Sequence, residues 1–103
     1  LADFLQAYPI ENHAMFLAST KSQQTYCEED YIKFNEVFIL FGKETKGLPE
    51  DLLQAHLDRT IRIPMRSHLR SLNLSNSVAI IVYEILRQTN FEGLEEISSY
   101  FQN

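Results

Sequence analysis

The chain has 103 residues and a net charge of −5, with 45% hydrophobic and 22% charged residues. That length suits one domain burying roughly 60–70% of its unfolded surface, and excludes two. No run approaches the ~18–20 apolar residues of a membrane span, no secretory leader is expected, and the acidic balance argues against non-specific nucleic-acid binding by the whole surface.

Leu1, Phe4 and Leu5 follow helical spacing, and Tyr8-Pro9 closes that helix. With Leu1 in place of an initiator methionine, the chain reads as a fragment or a processed chain. Met15 to Ala18 is a short apolar run that suits a buried strand, and Ser19 to Ser22 is a polar loop at its end. Residues 23–35 scatter Tyr26, Tyr31 and Phe34 among acids and polars, as a short strand or loop. Val37 to Phe41 is β-branched and aromatic, a buried strand.

Gly42 follows directly, then Gly47-Leu48-Pro49. Pro49 fits the first turn of a helix whose positive end Glu50 and Asp51 complement. Residues 60–65 alternate as a strand, and Pro64 stops it. Residues 66–76 are a polar loop. The spacing of Val78, Ile81, Val82, Ile85 and Leu86 predicts a helix over 78–88 that Ser75 or Asn76 can cap. Gly93 breaks the chain, and a last short helix is expected over 94–101. Strand, strand, helix, strand, helix is the signature of an α/β fold with a mostly parallel sheet flanked by helices.

In such sheets ligands bind outside the carboxyl ends of the strands. The loops at 19–21, 42–49 and 66–76 leave three strand ends, and their convergence would make a pocket. Two glycines in the second loop permit close backbone approach, although its spacing is neither a P-loop nor a dinucleotide fingerprint. Serines and asparagines at 71–76 exceed what one helix cap needs. Arg59, Arg62, Arg66 and Arg70 form the one local basic concentration, in a stretch without an acid. Cys27 is the sole cysteine and precedes three acids, which disfavours a thiolate and suits a structural or incidental residue in a reducing compartment. The histidines at 13, 56 and 68 share no metal-ligand spacing with it, and no metal is expected.

Three segments together resemble the motifs of the SPOUT superfamily of RNA methyltransferases. Phe41-Gly42-Lys43-Glu44-Thr45-Lys46-Gly47-Leu48-Pro49 is similar to its second motif. Ile61 to Met65, followed by Arg70-Ser71-Leu72-Asn73-Leu74-Ser75-Asn76, is similar to its third. Val82-Tyr83-Glu84 and Leu86-Arg87-Gln88 fit the subgroup that methylates the wobble nucleotide of tRNA. The resemblance runs from about Met15 to Gly93.

The resemblance implies a sheet whose C-terminal part forms a deep trefoil knot, with residues 1–103 the C-terminal part of one such domain and its N-terminal strands missing. It implies S-adenosylmethionine as methyl donor, held by Ala18, Ser19, Thr20, Gly42, Gly47, Ile61, Ile63, Met65, Ser71 and Leu72. Glu44, Ser71 and Asn73 match active-site positions, and Arg66 and Arg70 match RNA contacts. The implied reaction is 2′-O-methylation of tRNA at the wobble ribose, in the cytoplasm, by a homodimer paired through the C-terminal helix. Ribosomal RNA or another tRNA site is the alternative target, and a non-catalytic binding module is the alternative description of the fragment. The family's usual base, an arginine of the first motif, has no match in this chain.

Overall fold

The computed structural model describes residues 1–42, 47–66, 73–95, 97, 98 and 100. Three strands, β1 (Met15–Ala18), β2 (Phe38–Leu40) and β3 (Thr60–Ile61), form a sheet in the order β2-β1-β3. Both pairings are parallel, with Met15 opposite Phe38 and Ala18 opposite Ile61. Among the described residues three α-helices accompany them: α1 (Ala2–Ala7), α2 (Glu50–Ala55) and α3 (Leu74–Gln88). Short 3-10 turns lie at Ile10–Asn12, Tyr26–Glu28 and Leu57–Arg59.

Side chains alternate across a strand, so the central strand feeds two cores. Met15 and Leu17 point into one, where Ile10, Leu48 and Leu53 are also buried and Phe4 and Leu5 of α1 pack. Phe16 points into the other, with Tyr31, Ile61 and Ile81, and Ile85 packs beside them. β2 divides the same way, Phe38 and Leu40 to the first core and Ile39 to the second. Helices α1 and α2 therefore cover one face. Helix α3 and the segment around Tyr26 to Phe34 cover the other. Burial on both faces explains why β1 and β2 are continuous apolar runs.

Three expectations shift. The third strand is two residues long, because Arg62 continues it only as an isolated bridge to Thr25 and Pro64 has no N–H to offer. Helix α3 starts at Leu74, and its cap is Asn73, whose side-chain oxygen accepts from the Ser75 N–H at 2.8 Å, not Ser75 or Asn76. Beyond α3 the backbone turns left-handed at Asn90, Phe91 and Gly93. The described residues between 94 and 100 are not helical.

Candidate functional site

Parallel pairing brings the three strand exits to one edge of the sheet. β1 ends at Ala18, next to Ile61 at the end of β3. The Ser19 N–H donates to the Ile61 carbonyl at 2.9 Å, which holds the first exit against the third. Ser19 Oγ accepts from the Lys21 N–H at 3.1 Å, turning the chain away from the edge. Behind that turn Ser22 and Thr60 are buried, with their hydroxyls 2.8 Å apart, and Thr60 Oγ1 donates to the Leu57 carbonyl at 2.7 Å. Thr20 is exposed.

At the second exit, Gly42 lies against main chain. A Cβ there would stand 2.1 Å from the Gly47 carbonyl carbon and 2.3 Å from the Leu48 nitrogen. Only glycine allows that approach. Gly47 has φ of 70°, the left-handed region that favours glycine, and Leu48 is buried in the first core. Glu44 lies between them, outside the described residues.

At the third exit, Ile61 is fully buried, so what it can present to a ligand is main chain. Ile63 and Met65 are half-buried beyond it, and Arg66 is exposed. Ser71, Leu72 and Arg70 lie outside the described residues. Asn73, matched to an active-site position, spends its side-chain oxygen on the α3 cap.

The basic stretch divides. Arg59 precedes β3 and belongs to the opposite edge of the sheet. Its guanidinium donates to the His13 carbonyl at 2.9 Å and stacks at 6.0 Å from the Phe16 ring centre. Arg62 and Arg66 follow the strand, toward the exits.

A polar cluster built on Glu84, Arg87 and Gln88, which the sequence marks by resemblance and not by their contacts, joins α3 to the segment at 29–31. Gln88 Nε2 donates to the Glu29 carbonyl at 2.8 Å and to Glu84 Oε2 at 2.9 Å, while its Oε1 accepts from the Tyr31 N–H at 2.8 Å. The Arg87 guanidinium grips both Glu84 oxygens, at 2.8 and 2.9 Å, and holds that carboxyl below the usual carboxylate range. The Tyr31 ring is buried edge-on to Phe16, and its hydroxyl donates to the Tyr26 carbonyl at 2.7 Å. Burial, then the nearby Glu29 and Glu84, push the Tyr31 hydroxyl well above its ordinary pKa. Gln88 and Tyr31 are 57 positions apart, and no local pattern signals their contact.

Among the described residues, no group of three or more His, Cys, Asp or Glu could hold a metal, and no helix is long and apolar enough to cross a membrane.

A parallel sheet covered on both faces, with its strand exits gathered at one edge beside Gly42 and Gly47, defines an α/β protein, a class in which ligands bind outside the carboxyl ends of the strands. The profile of the SpoU rRNA Methylase family matches residues 1–83, and the chain belongs to that family. A candidate tRNA (cytidine(34)-2′-O)-methyltransferase of Bacillus subtilis is 45% identical over 96 residues, 92% of this chain and 59% of that protein. The tRNA (cytidine(34)-2′-O)-methyltransferase of Burkholderia cenocepacia is 37% identical over 91 residues, covering 87% of this chain and 57% of that protein. Among solved structures, a candidate RNA methyltransferase from Bacillus anthracis superposes with a TM-score of 0.81 at 36% identity, over 93% of this chain and 60% of its own. The SpoU methyltransferase of Streptomyces viridochromogenes, crystallised with AdoMet, gives 0.63 at 26% identity, over 90% and 34%. The chain spans between about a third and three fifths of the length of these proteins.

Proposed function

We propose that the chain is the methyl-donor-binding part of an enzyme that methylates the ribose 2′-hydroxyl of tRNA at nucleotide 34. The observation that carries this is the gathering of three strand exits at one sheet edge, with Gly42 closed onto Gly47 and Leu48. The names of the relatives above support the substrate, and their identities of 37–45% favour tRNA over ribosomal RNA. The same likeness supports the deep trefoil knot, N-terminal strands outside this chain, and a cytoplasmic setting.

The residues at the exits fit S-adenosylmethionine. Gly42 and Gly47 leave main chain bare, Ile63 and Met65 bring apolar surface, and Ser19 and Thr20 bring hydroxyls. Ala18 and Ile61 would contribute backbone, and Ser71 and Leu72 belong to the same reading. When bound, the cofactor supplies an electrophilic methyl group, and the hydroxyl that receives it gives up a proton to a base. Positioning then supplies much of the rate. Glu44, Ser71 and Asn73 are the active-site side chains of this reading. Arg66 and Arg70 would meet phosphates of the tRNA, and the 2′-hydroxyl selects RNA.

Calorimetric titration of S-adenosylhomocysteine, with a Gly42→Trp variant beside it, tests the assignment. Saturable binding that the variant loses is expected. A folded wild-type chain that binds none would sink the cofactor reading.

The proposed enzyme is a homodimer paired through α3. Val78, Val82 and Tyr83 stay exposed on that helix, at 36, 40 and 59%, while Ile81 is buried against the sheet. An apolar helix face left in water calls for a partner. Val82→Glu is expected to shift light-scattering mass from dimer to monomer. An unchanged mass would remove α3 from the interface.

A further inference from the structure

We infer that Gln88 is a positioning residue: through Tyr31 and Tyr26 it braces the loop after β3 that carries Ile63 and Met65. The inference rests on the reading above for what that loop binds.

The brace has three joints. Gln88 makes the first. Its carboxamide donates to the Glu29 carbonyl and accepts from the Tyr31 N–H, at 2.8 Å each. Those two groups flank Asp30 and are what a neighbouring strand would pair with. The carboxamide therefore stands in for a strand, at a place where helix α3 passes. Its orientation is fixed, because Glu84, held by Arg87, can only accept, so Nε2 must face it. Both amide hydrogens and the amide oxygen are engaged.

Tyr31 makes the second joint. Its ring is 2% exposed and wedged against Phe16, and its hydroxyl donates to the Tyr26 carbonyl at 2.7 Å. The Tyr26–Glu28 turn is itself closed by a capping box between Thr25 and Glu28. The segment from Tyr26 to Tyr31 is thus a stiff unit, fastened to α3 at one end.

Arg62 makes the third. The Tyr26 N–H donates to the Arg62 carbonyl and the Arg62 N–H to the Gln24 carbonyl, both at 2.8 Å. β3 itself ends at Ile61, so these two bonds are what extend order past the strand into the exit loop. Ile63 and Met65 lie one and three residues further on. Loosening at Gln88 has a hydrogen-bonded route as far as Arg62, and the backbone carries it on to Ile63 and Met65, a linkage of the kind by which outer groups orient inner ones.

The test uses the full-length protein with Gln88→Met, which keeps length and removes the hydrogen bonds, Tyr31→Phe, and both together. Leu5→Ala, on α1 against the other core, is the control for general loss of stability. Amide exchange at Arg62 and Tyr26 should quicken about tenfold in Gln88→Met, while the Ser19 amide, bonded to Ile61 on the other side of β3, holds its rate. The dissociation constant for S-adenosylhomocysteine and KM for the methyl donor should rise about threefold to tenfold with kcat little changed, as loss of about one hydrogen bond's worth of ordering predicts. The double variant should be no worse than the poorer single one, since both cut one route. Unchanged exchange at Arg62, or faster exchange with unchanged affinity, or equal effects in Leu5→Ala, would each overturn the inference. A wild type that binds no S-adenosylhomocysteine while Arg62 exchange still answers to Gln88 would overturn the methyltransferase reading and support the brace.

Discussion

Gly42→Ala is expected to destabilise the protein by about 3 kcal/mol or more, at the upper end of what overpacking costs. The Cβ would sit 2.1 Å from the Gly47 carbonyl carbon, 2.3 Å from the Leu48 nitrogen and 2.5 Å from the Gly47 Cα. Every one of those atoms is main chain, so no rotamer change relieves the clash. Leu48 would have to move, and its side chain is buried with Leu53, Met15 and Leu17. Relief at the loop therefore opens the first core. Gly47→Ala makes the comparison. Nothing lies within 4 Å of its added Cβ, and its cost is the left-handed φ of 70° alone, about 1–2 kcal/mol. Urea unfolding of the two variants should rank them in that order, and only Gly42→Ala should also abolish S-adenosylhomocysteine binding. A Gly42→Ala protein as stable as wild type would show that the loop has a second packing available.

The first two strands and the parallel architecture could be read from residue order because both faces of the sheet are buried. A strand covered twice has no polar alternation to dilute its run, so Met15–Ala18 and Phe38–Leu40 stand out. The third strand misled for the converse reason. Residues 60–65 alternate as a half-exposed strand would, yet the register with β1 ends at Ile61, and Arg62 is held on the other side by an isolated bridge to the segment at 24–26. The start of α3 was ambiguous in kind: Asn73, Ser75 and Asn76 are all good caps, and composition cannot choose among them. The structure chooses Asn73, which adds a turn to the helix.

Of the candidate site, the three exits were legible because strand ends locate them. Ala18, Ser19, Gly42, Gly47, Ile61, Ile63 and Met65 do lie on those exits. Glu44, Arg70, Ser71 and Leu72 lie outside the described residues. Nearness in sequence grouped Arg59 with Arg66, but the strand between them carries the two toward opposite edges of the sheet, and Arg59 is fastened to the His13 carbonyl. The brace through Gln88 was not legible at all. Its partners are backbone groups of a segment 57 residues upstream, and any sequence there offers the same N–H and C=O.

Ile61→Ala separates packing from binding at the third exit. Its side chain is 0% exposed, in one core with Phe16, Tyr31 and Ile81. Those neighbours are anchored: Phe16 by the central strand, Tyr31 by its hydrogen bonds to Tyr26 and Gln88, Ile81 by α3. A cavity left among them can collapse little, so the loss should fall in the range of about 2–5 kcal/mol for large-to-small core changes. The main chain at 61 has a separate task. Its carbonyl accepts from Ser19 and ties the first and third exits together, and alanine keeps that carbonyl. Affinity of the folded protein for S-adenosylhomocysteine should therefore stay within about twofold, well under the tenfold that 1.4 kcal/mol of lost contact would bring. Denaturant unfolding beside calorimetry, below the unfolding transition, reads both quantities. A loss under about 1 kcal/mol would mean the second core repacks around the gap. A tenfold fall in affinity with the fold intact would mean that the Ile61 side chain, not only its backbone, shapes the ligand edge.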